Sequence, residues 1–370
     1  MIPPATAPDH PVTASDLPGT ARVAVIPGDG IGVDVTREAV RCFRAAADLH
    51  GAAVDFVHWD LGAERYLRDG VTVTDDEIRR LAENYDAIFL GALGDPRVPD
   101  NRHIRDILLG LRFRLDLYVN FRPCELLDAR YCPLNEVPAG GIHIDIFRES
   151  TEGAYVNMGG HFKKGTPDEI AIQEDVNTRK GVERLVRAAF EYARAEGSRR
   201  VTMVDKANAL PAAGALWRRT YDDVRAEYGE IESDVMLVDA MAMDLVRRPG
   251  RYSVLVTSNL FGDIISDLAA EVTGGLGLAP SGTLHPGRHA LFEPVHGSAP
   301  DIAGTGRANP IAAVRSAALM ARHLGHDAVA GDIDRAVRLA LAAGQVTPDL
   351  GGALTTAAAG EAICDRLSGP

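Results

Sequence analysis

Ser253-Val-Leu-Val-Thr-Ser-Asn-Leu-Phe-Gly-Asp-Ile-Ile-Ser-Asp267 is the stretch on which the fold turns. Its first five residues form the compact β-branched run of a buried parallel strand, and Ser258-Asn259 offers a helix N-cap, so the segment predicts a strand, a turn and a helix. Asp263 and Asp267 stand four apart. That spacing stacks both carboxylates on one helical face at the helix's start, just beyond the carboxyl end of a strand, where open α/β sheets bind ligands. Two hard oxygen donors there suit Mg²⁺ or Mn²⁺. Acidic groups in a first turn that merely complement the helix dipole are the competing reading.

The 370 residues exceed what one core usually serves, so two domains or a discontinuous pair are expected. With 46% apolar and 25% charged residues the composition is that of an ordinary soluble globular protein, and no apolar run reaches the length of a membrane span. Residues 1–20, with five prolines and neither a basic start nor an apolar core, read as a disordered tail rather than a signal peptide. Cys42, Cys124, Cys132 and Cys364 lack the spacing of a zinc site or a disulfide framework, which fits a reducing cytoplasmic setting. A formal charge of −13 argues against nucleic acid or an anionic membrane as the main partner. A small anionic substrate would need a local basic pocket.

Candidates for that pocket occur along the chain. Ala21 to Pro27 predicts a buried strand that enters Gly28-Asp-Gly-Ile-Gly32 and then a helix over 33–50. The glycine spacing is not G-x-G-x-x-G, so it predicts a tight turn near a ligand rather than a phosphate cradle. Asp86 to Leu90 predicts a second buried strand, which puts the first hundred residues in the α/β class. Between Arg102 and Pro123, Leu108, Leu109 and Arg112 share a helical face, with Arg122 shortly after a strand-like 117–121. Paired arginines beside apolar side chains suit a dicarboxylate with a hydrophobic branch; a salt-bridged basic surface is the alternative. Ile142 to Phe147 predicts a strand leading to Arg148 and, past a turn, Tyr155. Residues 159–173 suggest a β arm toward another subunit, and 181–196 an amphipathic helix. The strand over 200–205 ends at Asp205-Lys206-Ala-Asn208, where the lysine is either a surface charge or a functional amine of lowered pKa. Ile231 to Met243 predicts a strand ending at Asp239, a third acidic candidate. From Thr273 to Pro310 the glycine- and proline-rich text reads as long connections, and 311–367 as mostly helical.

Together these segments resemble the β-decarboxylating dehydrogenases, the family of 3-isopropylmalate, isocitrate, homoisocitrate and tartrate dehydrogenases. The resemblance runs from Val23 to Gly352. It rests on Asn259-Leu-Phe-Gly-Asp263-Ile-Ile-Ser-Asp267, Glu293-Pro-Val-His-Gly-Ser-Ala-Pro-Asp301-Ile-Ala-Gly, Asn120-Phe-Arg122-Pro and Asp205-Lys206-Ala-Asn208. It implies an α/β fold that is not Rossmann: two discontinuous domains, the first from 21–120 and 274–370, the second from 121–273 and carrying the dimer contact. It also implies roles. Arg112, Arg122 and Arg148 match the arginines that hold the malate carboxylates, Tyr155 the acid and Lys206 the base. Asp239, Asp263 and Asp267 match the metal ligands for Mg²⁺ or Mn²⁺, with Lys206 and Asp239 supplied by the partner of a homodimer. His296, Gly297, Ala299, Asp301, Ile302 and Asn309, with Asn208, match the NAD site.

Within that family the branch on the malate core decides the substrate. Leu108 and Leu109 resemble the apolar lining of 3-isopropylmalate dehydrogenases, which is the favoured assignment. The text after Val156 and around Leu284 resembles the tartrate and malate branch, and Arg105 stands where an acidic residue is common. Isocitrate, homoisocitrate or a secondary-pathway malate remain alternatives. A non-catalytic regulatory subunit is disfavoured because the lysine, the tyrosine and all three aspartates are present.

Overall fold

A computed structural model describes residues 20–198 and 200–368. The tail expected over 1–20 lies, apart from Thr20, outside them. In chain order the strands are β1 Ala21–Gly28, β2 Val54–His58, β3 Ala87–Ala92, β4 Val119–Glu125, β5 His143–Glu149, β6 Gly159–Phe162, β7 Ile170–Gln173, β8 Arg200–Asp205, β9 Glu232–Leu237, β10 Val254–Thr257, β11 Pro280–His285 and β12 His289–Pro294. The helices are α1 Ile31–His50, α2 Ala63–Asp69, α3 Asp75–Asn84, α4 Arg102–Ile104, α5 Gly110–Arg114, α6 Arg179–Ala195, α7 Pro211–Arg225, α8 Val238–Arg247, α9 Asn259–Val272, α10 Ile311–His323, α11 Asp327–Ala342 and α12 Thr356–Cys364. A π-turn over Arg105–Leu109 joins α4 to α5.

Ten strands form one sheet in the order β2-β1-β3-β12-β11-β4-β5-β10-β8-β9. The β2-β1-β3-β12 block is parallel within itself, and so is β5-β10-β8-β9. Antiparallel pairings of β12 with β11, β11 with β4 and β4 with β5 separate the blocks, so they run in opposite senses. A doubly wound dinucleotide fold keeps one sense throughout, so the departure from Rossmann topology is built into the pairing. β3 and β10 are buried on both faces, which is why they read as unbroken apolar runs. α1 and α10 cover the sheet on one side of the first block, and α11 and α12 pack on them, around Phe43, Phe89, Phe292 and Ile333.

Three expectations change. The segment from 273 to 301 is not simply a long connection: it contains the β11–β12 hairpin in mid-sheet, with Pro280 at the first position of β11 and Pro294 at the last of β12, where a missing N–H costs least. Asp239 does not end a strand; β9 stops at Leu237 and Asp239 lies in the first turn of α8. Asp263 and Asp267 share a face of α9, but its first turn contains no acidic residue, so the dipole reading loses its premise. The arm is present as the β6–β7 hairpin, with every strand residue exposed.

Candidate active site

A cleft of about 610 Å³ opens between the two blocks of the sheet. Its wall on the α4–α5 side is set by the π-turn. Ile107 and Leu111 turn inward and are fully buried, which leaves Arg105, Leu108, Leu109 and Arg112 to line the cleft. Arg112 is held by Glu293 of β12, Nη2 to Oε1 2.9 Å, in a nearly buried ion pair.

Arg122 comes from the middle of β4. Asn120, two residues earlier and on the same face, accepts from its Nε at 2.9 Å, and Ser266 of α9 accepts from Nη1 at 2.7 Å. Its guanidinium thereby reaches both Asp263 and Asp267, each at 3.2 Å. Arg148, near the end of β5, is 1% exposed. It donates to the Asn259 carbonyl at 2.8 Å and to Asp263 at 2.5 Å. Gly262 lets it pass: a Cβ there would stand 2.5 Å from Arg148 Cγ. Burial, then repulsion from Arg122, pushes Arg148 down to about 9 against the pull of Asp263, so it is still cationic at neutral pH. Three guanidiniums crowded in this way have the charge and donor geometry that carboxylates accept.

Asp263 is the hub of the opposite wall. Burial acts to raise its pKa, but Arg148, Arg122 and the Tyr155 hydroxyl together hold it below the usual carboxylate range. Tyr155 donates to Asp263 Oδ2 at 2.6 Å, and burial, then this bond, raises the phenol. Asp267 is raised by burial, which Arg122 only partly offsets. Two carboxylates one turn apart, both partly open to solvent, are a hard-oxygen donor pair of the kind a divalent cation takes. Among the described residues no three acidic, histidine or cysteine side chains converge into a metal cage within one chain.

Lys206 and Asp239 stand elsewhere. They pair with each other, Nζ to Oδ1 2.8 Å, Lys206 just past the end of β8 and Asp239 in the first turn of α8, outside the cleft lining. Asn208 follows Lys206 in an exposed turn on that same side.

On the cofactor side, His296 and Gly297 line the cleft. Burial pushes the His296 ring below its ordinary value, and its Nε2 is buried without a hydrogen-bond partner. Ala299 adopts φ 38, which turns the chain, and Asp301 is exposed. Ile302 packs on the main core. Asn309 is committed internally, donating to Asp349 and accepting from the Ile311 N–H.

The Gly28–Gly32 turn buttresses this loop. Gly30 has φ 55, and a Cβ there would meet the Ser298 carbonyl at 2.1 Å, while Ile31 N donates to that same carbonyl at 2.8 Å. Asp29, buried, accepts from Ala63 N, Gly94 N and His103 Nε2. Sequence reasoning did not pick out Asp29, Glu293, Asn259 or Ser266 as site residues. Asn120 could have been found from its i, i+2 spacing to Arg122; the others have partners too remote in sequence to suggest themselves.

Residues 22–363 match the isocitrate/isopropylmalate dehydrogenase family. The 3-isopropylmalate dehydrogenase of Thermobifida fusca is 46% identical over 94% of this chain and 98% of its own length. That of Corynebacterium kroppenstedtii is 49% identical over 86% and 92%. Among solved structures, an isocitrate dehydrogenase from Methylococcus capsulatus superposes with a TM-score of 0.86 at 37% identity, over 94% of this chain and 99% of its own. Opposed parallel blocks, an arginine-rich cleft and near full-length similarity agree, and the chain belongs to the isocitrate/isopropylmalate dehydrogenase family.

Proposed function

We propose that the chain catalyses the oxidative decarboxylation of a 3-substituted (2R)-malate, with 3-isopropylmalate converted to 4-methyl-2-oxopentanoate as in leucine biosynthesis, using NAD and Mg²⁺ or Mn²⁺. The observation that carries this reading is the convergence of Arg112, Arg122 and Arg148 beside Leu108 and Leu109 in one cleft. The guanidiniums neutralise the two malate carboxylates, and the leucines accept an alkyl branch. Asp263 and Asp267 would hold the cation, with Asp239 from a second copy; a cation held there would supply a Lewis acid for the oxygen at the reacting carbon, and NAD would supply the hydride acceptor. Lys206 of that copy takes the hydroxyl proton, and Tyr155 returns a proton to the carbon that loses CO₂. His296, Gly297, Ala299, Asp301, Ile302 and Asn309, with Asn208 of the second copy, cradle the cofactor, and Asp301 favours NAD because it would repel a 2′-phosphate.

A homodimer is part of this reading. The separation of Lys206 and Asp239 from the cleft supports it, as do exposed apolar side chains on the arm (Phe162, Ile170, Ile172), on α8 (Met243, Val246) and on α9 (Ile264). We place the domain division within β4, after Asn120, and between α9 and β11, giving 21–120 with 274–370 and 121–273. No helix among the described residues is long and apolar enough to cross a membrane, and a cytoplasmic small-molecule enzyme is the setting we propose. Arg105 in the cleft wall favours a second reading, a tartrate- or malate-type substrate with a polar branch.

A turnover screen with NAD and Mn²⁺ decides between these. The three branch carbons are worth about 2.4 kcal/mol, so kcat/KM for 3-isopropylmalate should exceed that for D-malate by about 60-fold; tartrate, isocitrate or homoisocitrate in first place would displace the assignment. Mixing inactive Lys206→Ala and Asp263→Asn subunits should restore activity in one of the two sites of the heterodimer. No recovery after verified exchange would place each site within one chain.

A further inference from the structure

The four cysteines are free thiols, yet two of them, 322 residues apart, touch. Cys42 of α1 and Cys364 at the end of α12 have their sulfurs 3.1 Å apart. Their helices approach closely because residue 360 is glycine: a Cβ there would lie 2.4 Å from Glu38 Oε2. Cys42 is fully buried and also donates weakly to the Gly360 carbonyl, whereas Cys364 is partly open to solvent. The other two are placed differently. Burial pushes the Cys124 thiol up to about 12, and Cys132 donates to the Val272 carbonyl.

We propose that Cys42 and Cys364 are a reversible redox pair, closing to a disulfide that staples α12 to α1 when the protein meets a hydroperoxide. Bond formation needs the sulfurs to approach by about 1 Å, to near 2.05 Å, a movement within reach of side-chain rotation. The exposed partner reacts first. Cys364, as thiolate, attacks the peroxide, the O–O bond breaks, and a sulfenic acid and an alcohol or water result. Cys42 then attacks the Cys364 sulfur, the S–O bond breaks, and hydroxide leaves as water with the Cys42 proton. Two electrons pass from the sulfurs to the peroxide, and a small thiol reverses the bond by exchange. Cys364 is suited to the first role because the Cys42 thiol, then Arg41, lowers its pKa against the effect of burial.

The staple would bear on the loop assigned to the cofactor, and this consequence rests on that assignment. α1 grips the loop at one end, through Ile31 N to the Ser298 carbonyl. α12 grips the other, through Thr356 N to Gly306 at 2.8 Å and Thr356 Oγ1 to Ala308 at 2.7 Å. Joining the helices fixes the distance between the two grips.

The test uses the full chain, reduced and then treated with a small excess of hydrogen peroxide. Mass spectrometry without reductant should find the Cys42 and Cys364 peptides joined with loss of two hydrogens, and separated again by dithiothreitol. The oxidised form should melt roughly 5 °C higher, a gain absent from Cys364→Ser. Sulfinic Cys364 beside a reduced Cys42, a bond involving Cys124 or Cys132, or no cross-link at peroxide levels that oxidise free cysteine would overturn the pairing. In the cross-linked protein the NAD dissociation constant should change by about threefold or more, a shift of 0.6 kcal/mol or above at roughly 1.4 kcal/mol per decade. A cross-link with unchanged NAD affinity would refute the coupling to the loop, whereas a reduced protein that does not bind NAD would refute the cofactor assignment and leave the pair intact.

Discussion

Replacing Glu293 by glutamine removes one charge from the pair that holds Arg112 and leaves the shape of the side chain in place. The two groups meet at 2.9 Å, with side chains 6% and 12% exposed. At that separation and an effective dielectric near 20 their attraction is about 6 kcal/mol. A carboxylate that no longer has to be stripped of water returns several kcal/mol of this, and the glutamine oxygen still accepts a hydrogen bond from Arg112, so the net loss should be about 2–3 kcal/mol. In a chain of this size that is a fall in Tm of about 3 °C, measured without ligand by differential scanning fluorimetry. The site geometry adds a second expectation. Arg112, left short of a counter-charge at the cleft wall, should gain more from a dicarboxylate than the wild type does, so malate or 3-isopropylmalate should raise Tm by a larger increment in Glu293→Gln. A ligand-free Tm within about 1 °C of wild type, or equal ligand increments in the two proteins, would refute the view that Glu293 neutralises Arg112 in the empty cleft.

Asp267→Asn should leave the fold unchanged and nearly abolish turnover, as should EDTA with the unaltered chain; full activity in EDTA would dispose of the metal reading. Arg105 makes only a 3.7 Å contact with Asp106, whose carboxylate already accepts from Thr72, so it is available to the cleft. Arg105→Ala should shift relative kcat/KM toward the alkyl substrate by about tenfold if its charge bears on the branch, and unchanged ratios would eliminate that role. His323, 4% exposed, is pushed down to about 4 by burial, with Asp86 opposing. The folded chain keeps it neutral while the unfolded chain protonates it below about 6.5, so its contribution is complete above that pH and is lost as pH falls toward 4. The loss amounts to about 3 kcal/mol, and chemical denaturation at stepped pH should show His323→Phe with a flatter acid limb.

Much of this was legible locally. Apolar runs such as 254–257 and 87–90 announced buried parallel strands, and the i, i+4 spacing of Asp263 and Asp267 put both on one face of α9 whatever the rest of the chain did. The β11–β12 hairpin stayed hidden because its glycines and prolines carry the composition of a loop, and only pairing with β4 on one side and β3 on the other makes strands of it. A side chain's own type and its near neighbours fixed what Arg112, Arg148 and Lys206 could do. Their partners were decided by the tertiary structure: Glu293 is 181 residues from Arg112, Asn259 is 111 from Arg148, and Cys364 is 322 from Cys42. The periodicities of helix and strand reach only a few residues along the chain. Which distant groups meet depends on sheet order and on the opposed sense of its two halves, and these are set by the packing of the whole core.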